Sequence, residues 1–177
     1  MATGKLPLSL RFYGVSPWEL EVLYSLFNSL FRVEEHPEEG QDEDFKTMID
    51  VIFPLAFNDA FFKWFGSSRW DKFKAILKEL KRRRGGGRTL RVYVKFIGKP
   101  NIKFTIDPQE RSQFDTAIEK LDFVLELIPY HLDPHKMPSS ITEILYYYDD
   151  STGRWGINSA TSETERYLFS ENEWKII

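Results

Sequence analysis

The chain contains no cysteine, which excludes disulfide bonds, thiolate zinc sites and cysteine nucleophiles. It also lacks a strong excess of one charge: 24 basic and 27 acidic side chains give a formal net charge of −3. A slightly acidic chain is not expected to bind nucleic acid through its overall charge, although a local basic patch remains compatible with it. Because a cysteine-free chain fits a reducing compartment, we expect a cytoplasmic protein.

The sequence has no long apolar run. Its most apolar stretch, residues 51–65, contains Pro54, Asn58, Asp59 and Lys63. This stretch is shorter than the roughly 20 residues that a membrane-spanning helix needs. The first residues lack the basic and apolar regions of a signal peptide. We therefore expect no membrane span and an intracellular location.

Aromatic residues are abundant, with 15 Phe, 8 Tyr and 5 Trp making up 16% of the chain. Aromatic side chains bury large areas, so the sequence predicts a core built on rings. The length of 177 residues suits a single domain over residues 1–177. Residues 34–44 carry seven acidic side chains and little apolar surface, which predicts an exposed, mobile acidic linker.

The pattern of apolar residues alternates between strand and helix periods along the chain. Leu8, Leu10 and Phe12 alternate with polar residues and predict a strand, and a capping box at Ser16 opens a helix over 17–33. The ring-rich segment 45–65 predicts a helix that Pro54 kinks. A further helix follows and ends at Arg84. After it the sequence predicts a hairpin over 90–106, then a helix closed by a proline, and finally a meander of strands. The order predicts an α+β fold with an antiparallel or mixed sheet of about five to six strands and helices packed on one face.

Part of the ring-rich region offers a surface for a protein partner. More rings occur there than one small sheet needs for its core, and we expect the excess to remain exposed. The predicted interface residues are Trp64, Phe65 and Trp70. No cofactor or metal site is predicted. The first functional hypothesis is therefore a non-catalytic protein-interaction or regulatory module, for which an inhibitor or immunity-type partner of a basic protein is one form. Unpaired edges of the terminal meander allow either a monomer or a homodimer.

An alternative function is the binding of single-stranded nucleic acid. If the apolar residues of the strands face the helices, the opposite face of the sheet displays basic and aromatic side chains, and such faces stack unpaired bases in several domains. The predicted nucleic-acid-binding residues are Arg11, Tyr13, Arg83, Arg91, Tyr93, Lys95 and Lys103. Their polar character is also what any solvated sheet face displays.

A second alternative is a metal-dependent hydrolase or nuclease that uses His135, Asp149 and Asp150. His131 and His135 have a spacing found in metal sites, but Pro134 prevents a regular helix from aligning them. The two aspartates also suit a hairpin turn before Gly153, which is the interpretation that the sequence favours. No metal ligand is assigned from the sequence.

Overall fold

A computed structural model of the chain describes residues 4–39 and 44–177. The first half contains β1 (Leu6–Tyr13), α1 (Pro17–Phe27), β2 (Phe31–Pro37), β3 (Met48–Phe53), α2 (Asp59–Phe65) and α3 (Ser67–Arg84). The second half contains β4 (Arg91–Phe96), β5 (Asn101–Ile106), α4 (Arg111–Lys120), α5 (Val124–His131), β6 (Ile141–Asp149), β7 (Arg154–Ser162), β8 (Arg166–Ser170) and β9 (Glu173–Ile176). In these described ranges, no helix is long and apolar enough to cross a membrane.

The strands of the described ranges form one mixed sheet in the order β2-β1-β3-β4-β5-β6-β7-β8-β9. The pairs β1–β2, β3–β4 and β5–β6 are parallel, and each is joined by a helical connection. The other neighbours are antiparallel. The α+β class and the mixed sheet are thus confirmed, but the sheet has nine strands rather than the predicted five to six. Neither β2 nor β3 was predicted as a strand.

The core lies between the helices and one face of the sheet. Alternate strand residues such as Val92, Val94 and Phe96 point into it and are buried. At its centre, the Phe53 ring lies between 5.0 and 5.9 Å from six other phenylalanine rings: Phe27, Phe31, Phe61, Phe65, Phe73 and Phe96. Ring pairs at these separations attract each other through their edges and faces. The prediction of a core built on rings is confirmed.

Part of the predicted acidic linker is a strand. The helix predicted over 17–33 ends at Phe27, and Phe31–Pro37 then pairs in parallel with β1. Residues 34–37 of the predicted linker 34–44 therefore have a fixed place at the edge of the sheet, while residues 40–43 lie outside the described residues. The acidic side chains are tolerated because an edge strand keeps much of its surface in water.

The first part of the ring-rich segment is also a strand rather than a helix. Ile49, Val51 and Phe53 of β3 point into the core, while Asp50 lies on the opposite face. Because β3 lies between β1 and β4, nearly all of its residues are covered, so its apolar run resembles that of a buried helix. Pro54 follows the strand and does not kink a helix.

Candidate docking surface and uncovered sheet face

The three predicted interface residues have different environments. Phe65 and Trp70 are buried, so their prediction as surface residues is wrong. The ring of Phe65 is stacked on Phe61 at 5.3 Å, and that of Trp70 meets Phe62 at 4.9 Å. Both rings complete the core because α2 and α3 turn them toward the sheet. Trp64, in contrast, is 45% exposed.

Trp64 forms one wall of an apolar groove at the end of the sheet where β1 begins. The groove has a volume of about 340 Å³ and is lined by Leu6, Leu55, Ala56, Asn58, Ala60, Phe61 and Trp64. Asn58 starts α2 by accepting a hydrogen bond from the Phe61 amide at 2.9 Å, which fixes the direction of the helix. The Trp64 ring contacts Phe31 of β2 edge-on at 5.3 Å. The groove therefore adjoins the first residue of the edge strand.

Leu6 of the groove and Ile97, which follows β4, are both exposed at this end of the sheet. Leu6 is 44% exposed and Ile97 is 42% exposed. The antiparallel pairing of β1 with β3, and the parallel pairing of β3 with β4, bring the start of β1 next to the ends of β3 and β4. We call the groove-lining residues Leu6, Leu55, Ala56 and Trp64 the Trp64 surface. Such a cluster of exposed large apolar side chains is a feature of binding sites.

A second, smaller groove lies between α1 and α3. It has a volume of about 230 Å³, and Trp18, which is 68% exposed, lines it together with Val22 and Ile76. Its rim also carries Glu19 and Arg83, which form an ion pair at 3.5 Å. Sequence reasoning passed over Trp18, because a residue in the first helical turn gives no signal of its exposure.

The uncovered face of the sheet displays most of the residues predicted for nucleic-acid binding. The strand register places Arg11, Asp50, Tyr93, Thr105 and Tyr147 in one row across five strands. The next row contains Lys95 opposite Lys103. The helices pack on the other face, so these side chains do share one surface, as the alternation of the strands predicts.

Most basic side chains of this face lie beside a carboxylate. Arg11 lies 2.8 Å from Glu38 and 3.6 Å from Asp50. The charge of the face is therefore largely balanced. Two further ion pairs lie on this face: Lys95 is 3.0 Å from Glu143, and Arg91 is 3.3 Å from Asp107. The Lys103 ammonium instead lies over an aromatic ring, 4.4 Å from the centre of Tyr93. Burial raises the pKa of Asp50 above its usual value, although the nearby cations oppose this.

Two of the predicted nucleic-acid-binding residues are not available on this face. Tyr13 is buried, and its hydroxyl donates a hydrogen bond to the Phe45 carbonyl at 3.0 Å. Arg83 belongs to α3, on the helical side of the sheet, next to Glu19. The prediction that Arg83 extends the basic face is wrong, because the sheet separates the two surfaces.

The basic end of α3 connects parts of the fold. Arg84 donates hydrogen bonds to both carboxylate oxygens of Glu19 at 2.7 and 2.8 Å, and Glu19 also accepts from the Ser16 amide at 2.9 Å. These bonds lower the pKa of Glu19 to about 2. Lys81 is fully buried and donates to the Gly87 carbonyl and the Thr89 hydroxyl, both at 3.1 Å. Much of the basic run therefore has a structural role.

The residues proposed for metal chemistry do not form a ligand cluster. Asp149 accepts hydrogen bonds from the Ser151 amide at 2.9 Å and the Ser151 hydroxyl at 2.6 Å, as expected of a turn residue. His131 contacts the Tyr146 hydroxyl at 2.9 Å through Nδ1. Within residues 4–39 and 44–177, no group of three or more histidines, aspartates and glutamates is arranged to hold a metal ion.

Comparison of the chain with protein-family models, curated proteins and solved structures finds no match.

Proposed function

We propose that this protein is a non-catalytic interaction module that docks onto another protein through the Trp64 surface. The observation that carries the proposal is the presence of Leu6 and Trp64, each more than two fifths exposed, in the lining of one apolar groove. Exposed tryptophans next to a groove are frequent centres of binding energy, because a partner removes a large apolar area from water. The smaller groove at Trp18 has one exposed ring beside paired charges and is therefore less suited to docking a protein partner.

Removing the Trp64 ring should weaken binding strongly. Truncation of a central aromatic anchor typically costs about 2 kcal/mol or more, which corresponds to roughly a 30-fold loss of affinity. The side chain is half-exposed, so the fold should tolerate the change. The stability of the variant is checked first by thermal unfolding, because the ring also contacts Phe31.

The test is quantitative affinity capture from a lysate of the source organism with three baits: the wild type, Trp64→Ala and Trp18→Ala. Trp18→Ala is the matched control, since it removes an even more exposed ring from another surface. We expect a protein that is enriched on the wild type and on Trp18→Ala but lost on Trp64→Ala. Equal capture by Trp64→Ala, or loss only with Trp18→Ala, would overturn the proposal.

Binding of single-stranded nucleic acid is the second candidate. It is favoured by the position of Tyr93, which carries the Lys103 ammonium over its ring and shares a row with the exposed Tyr147. The test is fluorescence anisotropy with random single-stranded oligonucleotides at two salt concentrations. Binding that weakens with salt and with Tyr93→Ala would support it. An anisotropy signal that does not change up to micromolar protein would refute nucleic-acid binding.

A further inference from the structure

The outer edge of β2 presents backbone hydrogen-bonding groups that no strand of the described residues pairs with. The Glu38 amide donates to the Phe12 carbonyl of β1 at 2.8 Å. Because successive residues of a strand direct their amides to opposite sides, the amides of His36 and Glu34 also point toward β1. Those of Val33 and Glu35 therefore point outward. Pro37 has no amide and ends this outward row.

This edge carries an excess of negative charge. Glu34, Glu35, Glu38 and Glu39 are accompanied on the same segment by a single arginine, Arg32, and by no lysine. Glu34 lies 3.4 Å from Arg32, and Glu38 is bound by Arg11. In the described part of the chain, Glu35 and Glu39 form no ion pair. The edge therefore complements a positively charged partner.

The charge argues against a second copy of this chain as the occupant. Two copies joined through β2 would bring two acidic rows together, and like charges opposite each other in a sheet are destabilising. A basic segment gains the same backbone hydrogen bonds and, in addition, favourable charge pairs. The charge of the edge thus favours a segment of a different protein over a second copy of this chain.

The Trp64 surface lies next to the start of the edge strand. Phe31, the first residue of β2, contacts the Trp64 ring, and Leu6 of β1 is the register partner of Phe31. We infer that the partner contributes an extended segment rich in lysine or arginine, which adds to the outer edge of β2 as a tenth strand and places an apolar side chain in the groove. This inference rests on the proposed function and names the partner's chemistry. Backbone hydrogen bonds provide affinity in such strand addition, and side-chain pockets provide specificity.

The key variant is Glu35→Pro. Proline removes the outward amide of residue 35, whereas the bonds from β2 to β1 involve the alternate residues and are retained. Residue 34 before it stays in the extended conformation that proline favours in its predecessor. Glu35→Gln keeps the amide and removes only the charge, so the pair of variants separates the two contributions. An unchanged thermal midpoint shows that each variant folds.

The probe is a displayed library of short random peptides, selected against the full wild-type chain at physiological salt. We expect enrichment of peptides that combine lysine or arginine with β-branched residues. A synthetic copy of an enriched peptide should slow hydrogen exchange at the Val33 and Glu35 amides and should bind Glu35→Pro at least about tenfold more weakly. Glu35→Gln should cause a smaller loss of peptide affinity. High salt should weaken peptide binding by the wild type and so reduce its difference from Glu35→Gln.

The outcomes separate this inference from the proposed function. Loss of partner capture with Trp64→Ala, together with full capture and unchanged peptide binding by Glu35→Pro, would refute strand addition and leave the docking surface standing. Enrichment of acidic peptides, or no enrichment, would also refute it. Weakened binding by Glu35→Pro without any effect of Trp64→Ala would instead refute the role of the groove in binding the partner.

Discussion

The ion pair between Glu19 and Arg84 gives the sharpest prediction about stability. Glu19 is buried, closes the capping box of α1 with Ser16, and receives two hydrogen bonds from the Arg84 guanidinium. The substitution Glu19→Gln keeps the size of the side chain and most of its hydrogen-bonding capacity but removes the charge. It leaves the positive charge of Arg84 without its closest carboxylate.

The magnitude follows from the pKa of Glu19, which the Arg84 hydrogen bonds lower from 4.5 to about 2. A difference of about 2.5 between the pKa values of the unfolded and folded chain corresponds to about 3 kcal/mol of folding free energy. Because the folded-state pKa is the lower one, this contribution is complete above pH 4.5 and disappears as the pH falls through about 2. At about pH 3, roughly 1.4 kcal/mol should remain.

The assay is urea unfolding of the wild type and of Glu19→Gln at pH 7 and at about pH 3. We expect Glu19→Gln to lower the free energy of unfolding by about 3 kcal/mol at pH 7 and by about half as much or less at the lower pH. Glu21→Gln is the matched control, since Glu21 lies on the same helix and is exposed. Titration of the other carboxyl groups cancels in the difference. An effect that is the same at both pH values would refute the reasoning.

Two further predictions concern buried polar contacts on the helical side of the sheet. Thr89→Val removes a hydroxyl that donates to the Gly85 carbonyl at 3.0 Å and accepts from the buried Lys81 ammonium, so it should lower the free energy of unfolding by about 1–3 kcal/mol in urea titration. A loss below a few tenths would contradict the assigned contact. Burial lowers the pKa of His131 below 6.5, so the fold resists its protonation and stability should fall as the pH drops below that value. His131→Asn has no titrating ring and should therefore lose less stability than the wild type between about pH 8 and pH 5, as measured by urea unfolding, and equal losses in both proteins would contradict the assignment.

The parts of the fold that the sequence predicted well are those governed by local patterns. The hairpin of β4 and β5 was predicted because apolar residues alternate with polar ones along both strands, and the structure buries these apolar residues. The start of α1 was predicted because Ser16, Pro17 and Glu19 form a capping box with a proline in the first turn. Each of these signals lies within a few residues of the element that it specifies.

The failures arose where a distant segment determines the conformation. The acidic residues of β2 have no local tendency to form a strand, and only pairing with β1 holds them extended. The exposure of Trp64 and the burial of Phe65 depend on how α2 is turned against the sheet, which adjacent letters in a sequence do not reveal. The exposed positions of Leu6 and Ile97 likewise follow from the strand register.

The charge pattern of the sheet indicates where a partner gains most from binding. A ligand that covers the uncovered face must remove water from ion pairs such as Arg11 with Glu38 and Lys95 with Glu143, whose charges already compensate each other. Desolvation of such pairs opposes binding and returns little new attraction. At the β2 edge and the Trp64 surface, the partner instead satisfies outward backbone groups, approaches acidic residues without a full set of cations, and buries apolar rings. A partner therefore gains little binding free energy at the uncovered face of the nine-stranded sheet and more at its β2 edge. For this reason, docking at the edge is the better-supported mode.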